Sequence, residues 1–400
     1  MTTAAVAPGS QSSLREANAA RVVEAIHTYG KITQVELVAA TGLSAATVSN
    51  IVKLLAAQGI VKTDTTIRSG RRAQLVSLAT STGFAVGIEI GRRQLAVEIA
   101  DEAHQITESK RFPLPNDHRV DTTLDRAALL VMELVETIGS TIDEVVGVAV
   151  ALPAPIDPTT GLIARAGTMP GWEDTPIAQV LSQRLGREVT VENDANAGVV
   201  GEARFGALRG IDDAFYIHVS HSVGAGILLG GKVHRGSRGL AGEIGHVQVA
   251  PTGLICRCGG RGCLKTIVGA EALLDLMRLN PQIHTMSDLL RAAHEGDPGC
   301  RQVLADAANA IGGVLADMAT TYAPEKIVLG GELALTGDFF LTPIREALAR
   351  RPYLGGDIEV VTTPLEGRSE VLGALAIARD AFIASAFPHS PDTVSSGGAQ

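Results

Sequence analysis

Four side chains constrain the folding of this chain more than any others. His246, Cys256, Cys258 and Cys263 lie within eighteen positions of one another, in the stretch GEIGHVQVAPTGLICRCGGRGCLK from Gly242 to Lys265. Three thiolates and one imidazole are the ligand set of a closed, four-coordinate zinc site, and glycines between the thiols let a short loop fold around an ion. The alternative is a group of unrelated buried thiols, since free Cys behaves as a small hydrophobe. Three of the chain's four cysteines fall in this one glycine-rich stretch, which favours a structural Zn2+ over chance. The fourth, Cys300, lies in a helical pattern and is expected in a core. Glu243, three residues before His246, leaves a carboxylate beside the knot.

The rest of the chain must supply a large body around this loop. Four hundred residues suggest two or three folded units. Hydrophobic residues make up 46% but aromatics only 3%, so the core must be built from Ala, Val, Leu and Ile. The N-terminus, MTTAAVAPGSQSS, lacks a charged segment followed by an apolar run, and no stretch of eighteen apolar residues occurs. A soluble, cytoplasmic protein with no membrane partner is expected, and there clustered Cys reads as metal binding better than as disulfides. Residues 1–82 hold eight Lys or Arg against four acids, a net +4, which leaves −13 for the remainder of a chain whose total is −9. A basic head on an acidic body points to a polyanionic partner for the head.

The head is expected over residues 14–79, after a disordered stretch at 1–13. A helical pattern begins at Leu14, carries Val22, Val23, Ile26 and Tyr29 on one side, and stops at Gly30. Thr33 with Glu36 forms a capping-box pattern for a short second helix, Gln34 to Ala40. Ser44 is the N-cap of a third helix ending at Gln58, with Gly59 as its stop. Val48, Ile51, Val52 and Leu55 form the buried stripe of that helix. Its other face carries Ala45, Thr47, Ser49, Asn50 and Lys53, small and hydrogen-bonding side chains suited to close approach in a major groove. An ordinary solvated face is the competing reading. Two short strands, Ile60 to Lys62 and Gln74 to Leu78, flank a loop with Arg68, Arg71 and Arg72, cations that suit a phosphate backbone or minor groove. Together these are the marks of a winged helix-turn-helix, with double-stranded operator DNA as partner.

A linker from Ala79 to Gly83 leads into an α/β body over residues 84–384. Strands are expected in the stretch from Phe84, turning at Gly91, and at Val145 to Leu152, Glu188 to Val191, Ala214 to Val219, Ile227 to Leu229, Lys326 to Leu329 and Glu359 to Thr362. Helices are expected at about Val120 to Ile138, after Asn193, through the region ending near Tyr322, and from about Glu370 to Ala384. Gly224 and Gly226 read as part of a turn. Two similar halves hinged over a cleft form an actin-like, sugar-kinase-type plan, and 388–400 reads as a polar tail.

GEIGH at 242–246, CRCGGRGC at 256–263 and ENDAN at 192–196 are spaced as in the ROK family of bacterial repressors and sugar kinases, which the chain resembles from about Leu14 to Ala384. The resemblance is to the repressor branch. It implies a homo-oligomer, dimer or tetramer, that binds operator DNA and responds to a sugar or sugar phosphate. It also implies sugar-binding roles for Asn193, Asp194, Glu243 and His246, the last with one ring nitrogen on the metal. Where the family usually has a Glu, this chain has Lys265. That change implies either an anionic ligand or a pocket that has stopped binding sugars, with the lysine tied internally to Glu243 or Asp194. In the family's kinases the counterpart of Asp194 is the catalytic base, and glycine hairpins cradle ATP phosphates. In place of those hairpins this chain has Glu89-Ile90-Gly91-Arg92-Arg93, where side chains fill space that phosphate would need, and Ser220-His221-Ser222-Val223-Gly224-Ala225-Gly226, where two of the glycines are lost. A non-catalytic body is therefore expected, with a sugar kinase carrying a DNA-binding head as the alternative.

Overall fold

The computed structural model describes residues 18–19, 21–23, 25–26, 29–57, 60–68, 71–78, 83–101, 104–165, 167–354 and 358–386. The expected tails at 1–13 and 388–400, the helix start at Leu14, the stop at Gln58 and Gly59, and linker positions 79–82 lie outside the described residues.

In the head, residues 21–23 and 25–26 are helical, and Val22 and Ile26 are fully buried. The chain then forms β1 (Ile32–Thr33), α1 (Gln34–Thr41), α2 (Ala45–Ala57), β2 (Val61–Arg68) and β3 (Arg71–Leu78). The caps read from sequence are present. Thr33 and Glu36 exchange both bonds of the capping box, and Ser44 Oγ accepts the Thr47 N–H at 3.2 Å. Each such cap contributes about 1 kcal/mol. Val48, Ile51, Val52 and Leu55 are all buried, as their spacing requires.

The wing differs from expectation. β2 and β3 are each eight residues long and pair from Val61↔Leu78 to Arg68↔Arg71. Arg68, Arg71 and Arg72 therefore belong to the ladder's end, not to a loop, with only positions 69 and 70 between the strands. KTDTT, at 62–66, is a continuous polar run, so this part of the ribbon carries no apolar strand signal. β1 adds a third strand by pairing with β3 through Ile32↔Val76.

The body contains two five-stranded sheets of the same design. The first has β4 (Phe84–Ile90), β5 (Gln94–Ala100), β6 (Ile106–Pro113), β7 (Val145–Leu152) and β8 (Val189–Asn193), in the order β6-β5-β4-β7-β8. The second has β9 (Ala214–Val219), β10 (Val223–Leu229), β11 (Lys232–Val233), β12 (Lys326–Gly330) and β13 (Glu359–Thr362), in the order β11-β10-β9-β12-β13. In both, the first three strands are antiparallel and the last two join in parallel. α3 (Val120–Thr137) and α4 (Ile177–Leu185) cover the first sheet, and α5 (Asp194–Phe205) leads from β8 toward the second. α6 (Lys265–Val268), α7 (Ala270–Leu276), α8 (Met286–Glu295), α9 (Pro298–Tyr322) and α10 (Asp338–Ala349) belong to the second half. Cys300 is fully buried in that half's core.

The turn expected at Val223 to Gly226 is instead the start of β10. Gly226 pairs with Tyr216, and a Cβ there would lie 2.1 Å from the Ala195 carbonyl of α5. That glycine is required by close helix-strand packing, not by a loop.

One helix, α11 (Ser369–Ala386), runs through the middle. Its Ala374, Leu375 and Ala378 pack on Ala85, Ala100, Ala149, Ala151 and Ala197, a layer of small side chains that lets helix and sheet approach closely. A Cβ on Gly87 would meet the Val371 carbonyl at 2.3 Å. Arg204 of α5 and Asp380 pair at 3.0 Å. Further along, Phe382 packs against the apolar cluster of the head, and the Arg209 guanidinium lies 5.8 Å from the Tyr29 ring centre. Among the described residues, no single helix is long and apolar enough to cross a membrane.

Candidate functional site

The ENDAN segment spans the β8–α5 junction and locks itself. Asn193 is the N-cap of α5, its Oδ1 accepting the Asn196 N–H at 3.0 Å. Asp194 is the first helical residue; its Oδ1 accepts from the Ala195 N–H at 2.7 Å and from Asn193 Nδ2 at 3.1 Å. Beneath them, buried Glu192 accepts from the Asn193 N–H at 2.9 Å and from Asn196 Nδ2 at 3.0 Å, and its second oxygen accepts from Arg235 Nε at 2.7 Å. Burial pushes the Asp194 carboxyl up to about 6, with His218 opposing and Glu370 adding to the rise.

Glu243 and His246 stand on the next wall. Their side chains approach to 4.0 Å, Glu243 Oε2 to His246 Nε2, while His246 Nδ1 faces Cys256 Sγ at 3.7 Å. The imidazole thus has one nitrogen toward the thiols and one toward Glu243. Burial first, and Asp194 second, raise Glu243 to about 7, and Lys265 pulls it back. Lys265 opens α6 and acts on Glu243 through space. Among the described residues it forms no ion pair within 4.0 Å, so the internal tie to Glu243 or Asp194 considered from sequence is not made.

The four expected metal ligands do converge. One donor atom from each of His246, Cys256, Cys258 and Cys263 lies within 4.8 Å of the others. Cys258 Sγ and Cys263 Sγ are 3.7 Å apart. Zinc–sulfur bonds of about 2.3 Å at tetrahedral angles place sulfurs roughly 3.8 Å apart, so the donor set fits a tetrahedral ion. Cys256 and Cys263 are buried and Cys258 is exposed.

The other end of the cleft is a cavity of about 450 Å³ between the two lobes. The β4–β5 hairpin brings Glu89, Arg92, Arg93 and Gln94 to it, β6 adds Arg111, and the β9–β10 turn adds Ser220, His221 and Ser222. Asp194 also lines it, so the cavity adjoins the ENDAN segment. Arg92 donates to the Thr168 carbonyl at 3.0 Å, tying the loop at 167–172, GTMPGW in sequence, to the hairpin. That loop is held by Glu173, which accepts the Gly167 and Gly171 N–H groups at 2.9 and 2.8 Å.

Sequence reasoning missed the polar core of this cavity. Glu370, in the first turn of α11, accepts from Tyr216 OH at 2.5 Å and from His218 Nδ1 at 2.6 Å. Buried as His218 is, that carboxylate holds its pKa up at about 10, so it is a cation. Glu370 is in turn held below its ordinary value by His218, against the effect of burial. Glu89, buried and near Glu370, is raised to about 7. Its Oε1 accepts from Gln94 at 2.8 Å, and its Oε2 has no hydrogen-bond partner among the described residues. The available signal was Tyr216-Ile217-His218, an i, i+2 pair of polar side chains on one strand face.

In the head, Ser44, Ala45, Asn50 and Lys53 are exposed and Thr47 and Ser49 half-buried. Asn50 and Lys53 lie opposite the buried stripe of α2, whereas Ser44, its N-cap, and Ala45, three residues before Val48, stand at the exposed N-terminal end of the stripe's own side. The side chains of Arg68, Arg71 and Arg72 lie outside the described residues.

A winged-helix head and a two-lobed, actin-like body with a polar cleft define the class. Residues 85–381 match the ROK family and residues 16–72 the MarR family. The chain belongs to the ROK family. It is 28% identical over 400 residues to the DNA-binding transcriptional dual regulator NagC of Escherichia coli strain K12, covering 94% of this chain and 97% of that one. It is 25% identical to the xylose repressor of Caldicellulosiruptor bescii, over 92% of this chain and 97% of that one. Among solved structures, a ROK family transcriptional regulator homologous to the E. coli MLC protein matches with a TM-score of 0.73 at 23% identity, covering 92% of this chain and 96% of the other. A ROK glucokinase from Streptomyces griseus, solved with glucose and AMPPNP, matches the body alone: TM-score 0.66, 29% identity, 74% of this chain and all of that one.

Proposed function

We propose that the protein is a DNA-binding transcriptional regulator, a repressor of genes for sugar uptake or metabolism, whose cleft binds a sugar or sugar phosphate without turning it over. The observation that carries this reading is the union, in one chain, of a winged-helix head with a ROK body, matched along nearly its whole length by regulators. The exposed face of α2, with Ser44, Ala45, Thr47, Ser49, Asn50 and Lys53, would enter the major groove, and Arg68, Arg71 and Arg72 at the wing's end would meet phosphates. Asn193, Asp194, Glu243 and His246 would accept and donate hydrogen bonds to sugar hydroxyls, each carboxylate taking up to two.

Zinc, when bound by His246, Cys256, Cys258 and Cys263, supplies a structural crosslink. The chain's own contribution is to aim His246 Nε2 at Glu243 while Nδ1 faces the thiols. A homo-oligomer in the cytoplasm would carry two winged-helix heads as a dimer and four as a tetramer. Ligand in the cleft would then favour one lobe angle and so one spacing of recognition helices, to the extent of its unequal affinity for the two states. Gel retardation of DNA flanking its own gene, with and without candidate sugars, tests this. No retardation by metal-replete protein at moderate salt would reject it.

The second reading is a kinase with a DNA-binding head. It is favoured by Asp194, a carboxyl raised to about 6 at the cleft, where a base could take a hydroxyl proton. Coupled ADP-release assays over a sugar panel decide between them: turnover that is lost in Asp194→Asn would establish the kinase.

A further inference from the structure

Two helices lie against each other between the lobes, one on each sheet. α11 is fitted to the first sheet: Cβ atoms on Gly87 of β4 and Gly147 of β7 would lie 2.3 and 2.5 Å from the Val371 and Ala378 carbonyls. α5 is fitted to the second: a Cβ on Gly226 of β10 would lie 2.1 Å from the Ala195 carbonyl, and Val199 packs with Tyr216, Leu228 and Val328. The plane between the lobes is therefore the contact of α5 with α11. Backbones nearly touch there: a Cβ on Gly373 would lie 1.7 Å from the Ala197 carbonyl, and one on Gly201 2.2 Å from the Ser369 carbonyl. Helix faces so smooth suit the small sliding by which packed lobes change angle. Polar pairs cross the plane at both ends, Glu370 with Tyr216 and His218 at the cleft and Arg204 with Asp380 beyond it.

The head touches both sides of that plane. The chain passes from the head into β4 of the first lobe, and Arg379 of α11 fixes this passage by donating to the Gly83 and Asp101 carbonyls at 3.2 and 2.8 Å. On the same side Phe382 of α11 packs against the head's apolar cluster. On the other side Arg209, in the turn after α5, sets its guanidinium 5.8 Å from the Tyr29 ring centre, within cation–π range. That turn is part of the second lobe: the Ala207 N–H donates to Glu202 Oε2 at 2.9 Å, and Leu208 is buried with Tyr216 and Leu228. A change of lobe angle cannot preserve both contacts, since each is carried by a different lobe. The one at Arg209 is exposed and weak, so it yields first.

We propose that the head reads the angle between the lobes: carried by the first lobe on Phe382, it is steadied by the second through Arg209 against Tyr29, and lobe movement releases it. The inference deepens the regulator reading by naming how a change in the cleft reaches the head within one chain, with no change in the spacing of subunits. α11 is the lever. Glu370 at the cleft and Phe382 at the head are twelve positions apart on it, about 18 Å of helix.

Amide hydrogen exchange on the full-length, metal-replete protein tests this. Exchange in residues 21–29 should quicken about two- to fivefold in R209A, the worth of an exposed cation–π contact, and about tenfold in F382A, which uncovers part of the head's cluster. The decisive variant lies far from both contacts. Gly373→Ala wedges α5 and α11 apart, and it should quicken exchange in 21–29 about as much as R209A does, while adding nothing in an R209A/F382A background. Arg204→Gln loosens the same plane without added bulk and makes the same comparison if the wedge prevents folding. Three results would overturn the proposal. They are head exchange unchanged in both R209A and F382A, head exchange unchanged when Gly373→Ala or Arg204→Gln has altered exchange in α5 and α11, or an effect of those variants that persists in full without the two contacts. Gel retardation on the same preparations separates the two readings: coupled exchange without DNA retardation rejects the regulator alone, and retardation with uncoupled exchange rejects this inference alone.

Discussion

The two ends of the cleft follow opposite rules. At the metal end, Asn193, Asp194, Glu243 and His246 are held by short local devices, a helix cap and a loop closed by four donor atoms. At the hairpin end the polar groups come from distant segments: Glu89 from β4, Arg111 from β6, His218 from β9 and Glu370 from α11. Local devices can be read as motifs, and they preserve a site's chemistry as a unit. A site assembled from afar can change one residue at a time, and here bulky cations stand on the hairpin while the ENDAN segment is intact. On the proposed function, the contrast describes a body that would recognise hydroxyls in a fixed way and adapt what lies beyond them.

Removing the metal should break the first end most severely. Cys256→Ser, or exhaustive chelation, should lower the melting temperature by roughly 10 °C or more and abolish sugar binding, because metal binding contributes folding free energy. Metal analysis of the wild type should find about one zinc per chain. A metal-free protein that melts unchanged would dissolve the distinction between the ends.

Glu370→Gln attacks the second end. Losing one partner of a buried ion pair costs about 3–5 kcal/mol, and the uncompensated His218 would deprotonate. The pH profile carries the sign. With His218 raised to about 10, its stabilisation is complete below its ordinary 6.5 and is lost as pH climbs through 10. Glu370, held low, adds stability present above its ordinary value of 4.5 and lost on acidification. Asp194, raised to about 6, works the other way: its contribution is present below 3.8 and lost as pH rises through 6. Chemical denaturation across pH should therefore show an alkaline decline that Glu370→Gln removes, and an unchanged decline would place the pair outside the energetics.

Asp194→Asn, where the ends meet, should weaken sugar binding about 10- to 100-fold by calorimetry while leaving DNA retardation intact. The smallest effects belong to the head. Arg71→Ala with Arg72→Ala should weaken binding to all DNA sequences and reduce the salt slope by about two. Asn50→Ala should instead cost about 1–3 kcal/mol on the preferred sequence only. Equal effects of both on every sequence would merge the two roles.

Much of this architecture was legible. Thr33 with Glu36, Ser44, and the stripe from Val48 to Leu55 fixed the head's helices, because caps and helical periodicity act within a few residues. The cysteine spacing announced the knot. β6 was not found because its side chains alternate between half-buried and exposed, and ITESKRFP offers little apolar signal. α4 and α10 are likewise not among the helices expected from sequence. The pairing of His218 with Glu370 spans 152 residues and no local pattern encodes it. The strand start at Val223 was hidden by Gly224 and Gly226, and the reason for Gly226, contact with α5, is tertiary.

α11 is made after every strand it covers. Until it emerges from the ribosome, the alanine layer of the first sheet and the inner face of α5 have no cover, and Glu202 lacks the Ser369 hydroxyl that donates to it at 2.7 Å. Contacts of such long sequence separation form late and slowly, so the body must wait, incompletely packed, for its final helix. The same helix ends against the head at Phe382. A head completed early in synthesis thus acquires its partner surface only when the body is finished, which makes DNA binding in the right geometry a property of the fully folded chain.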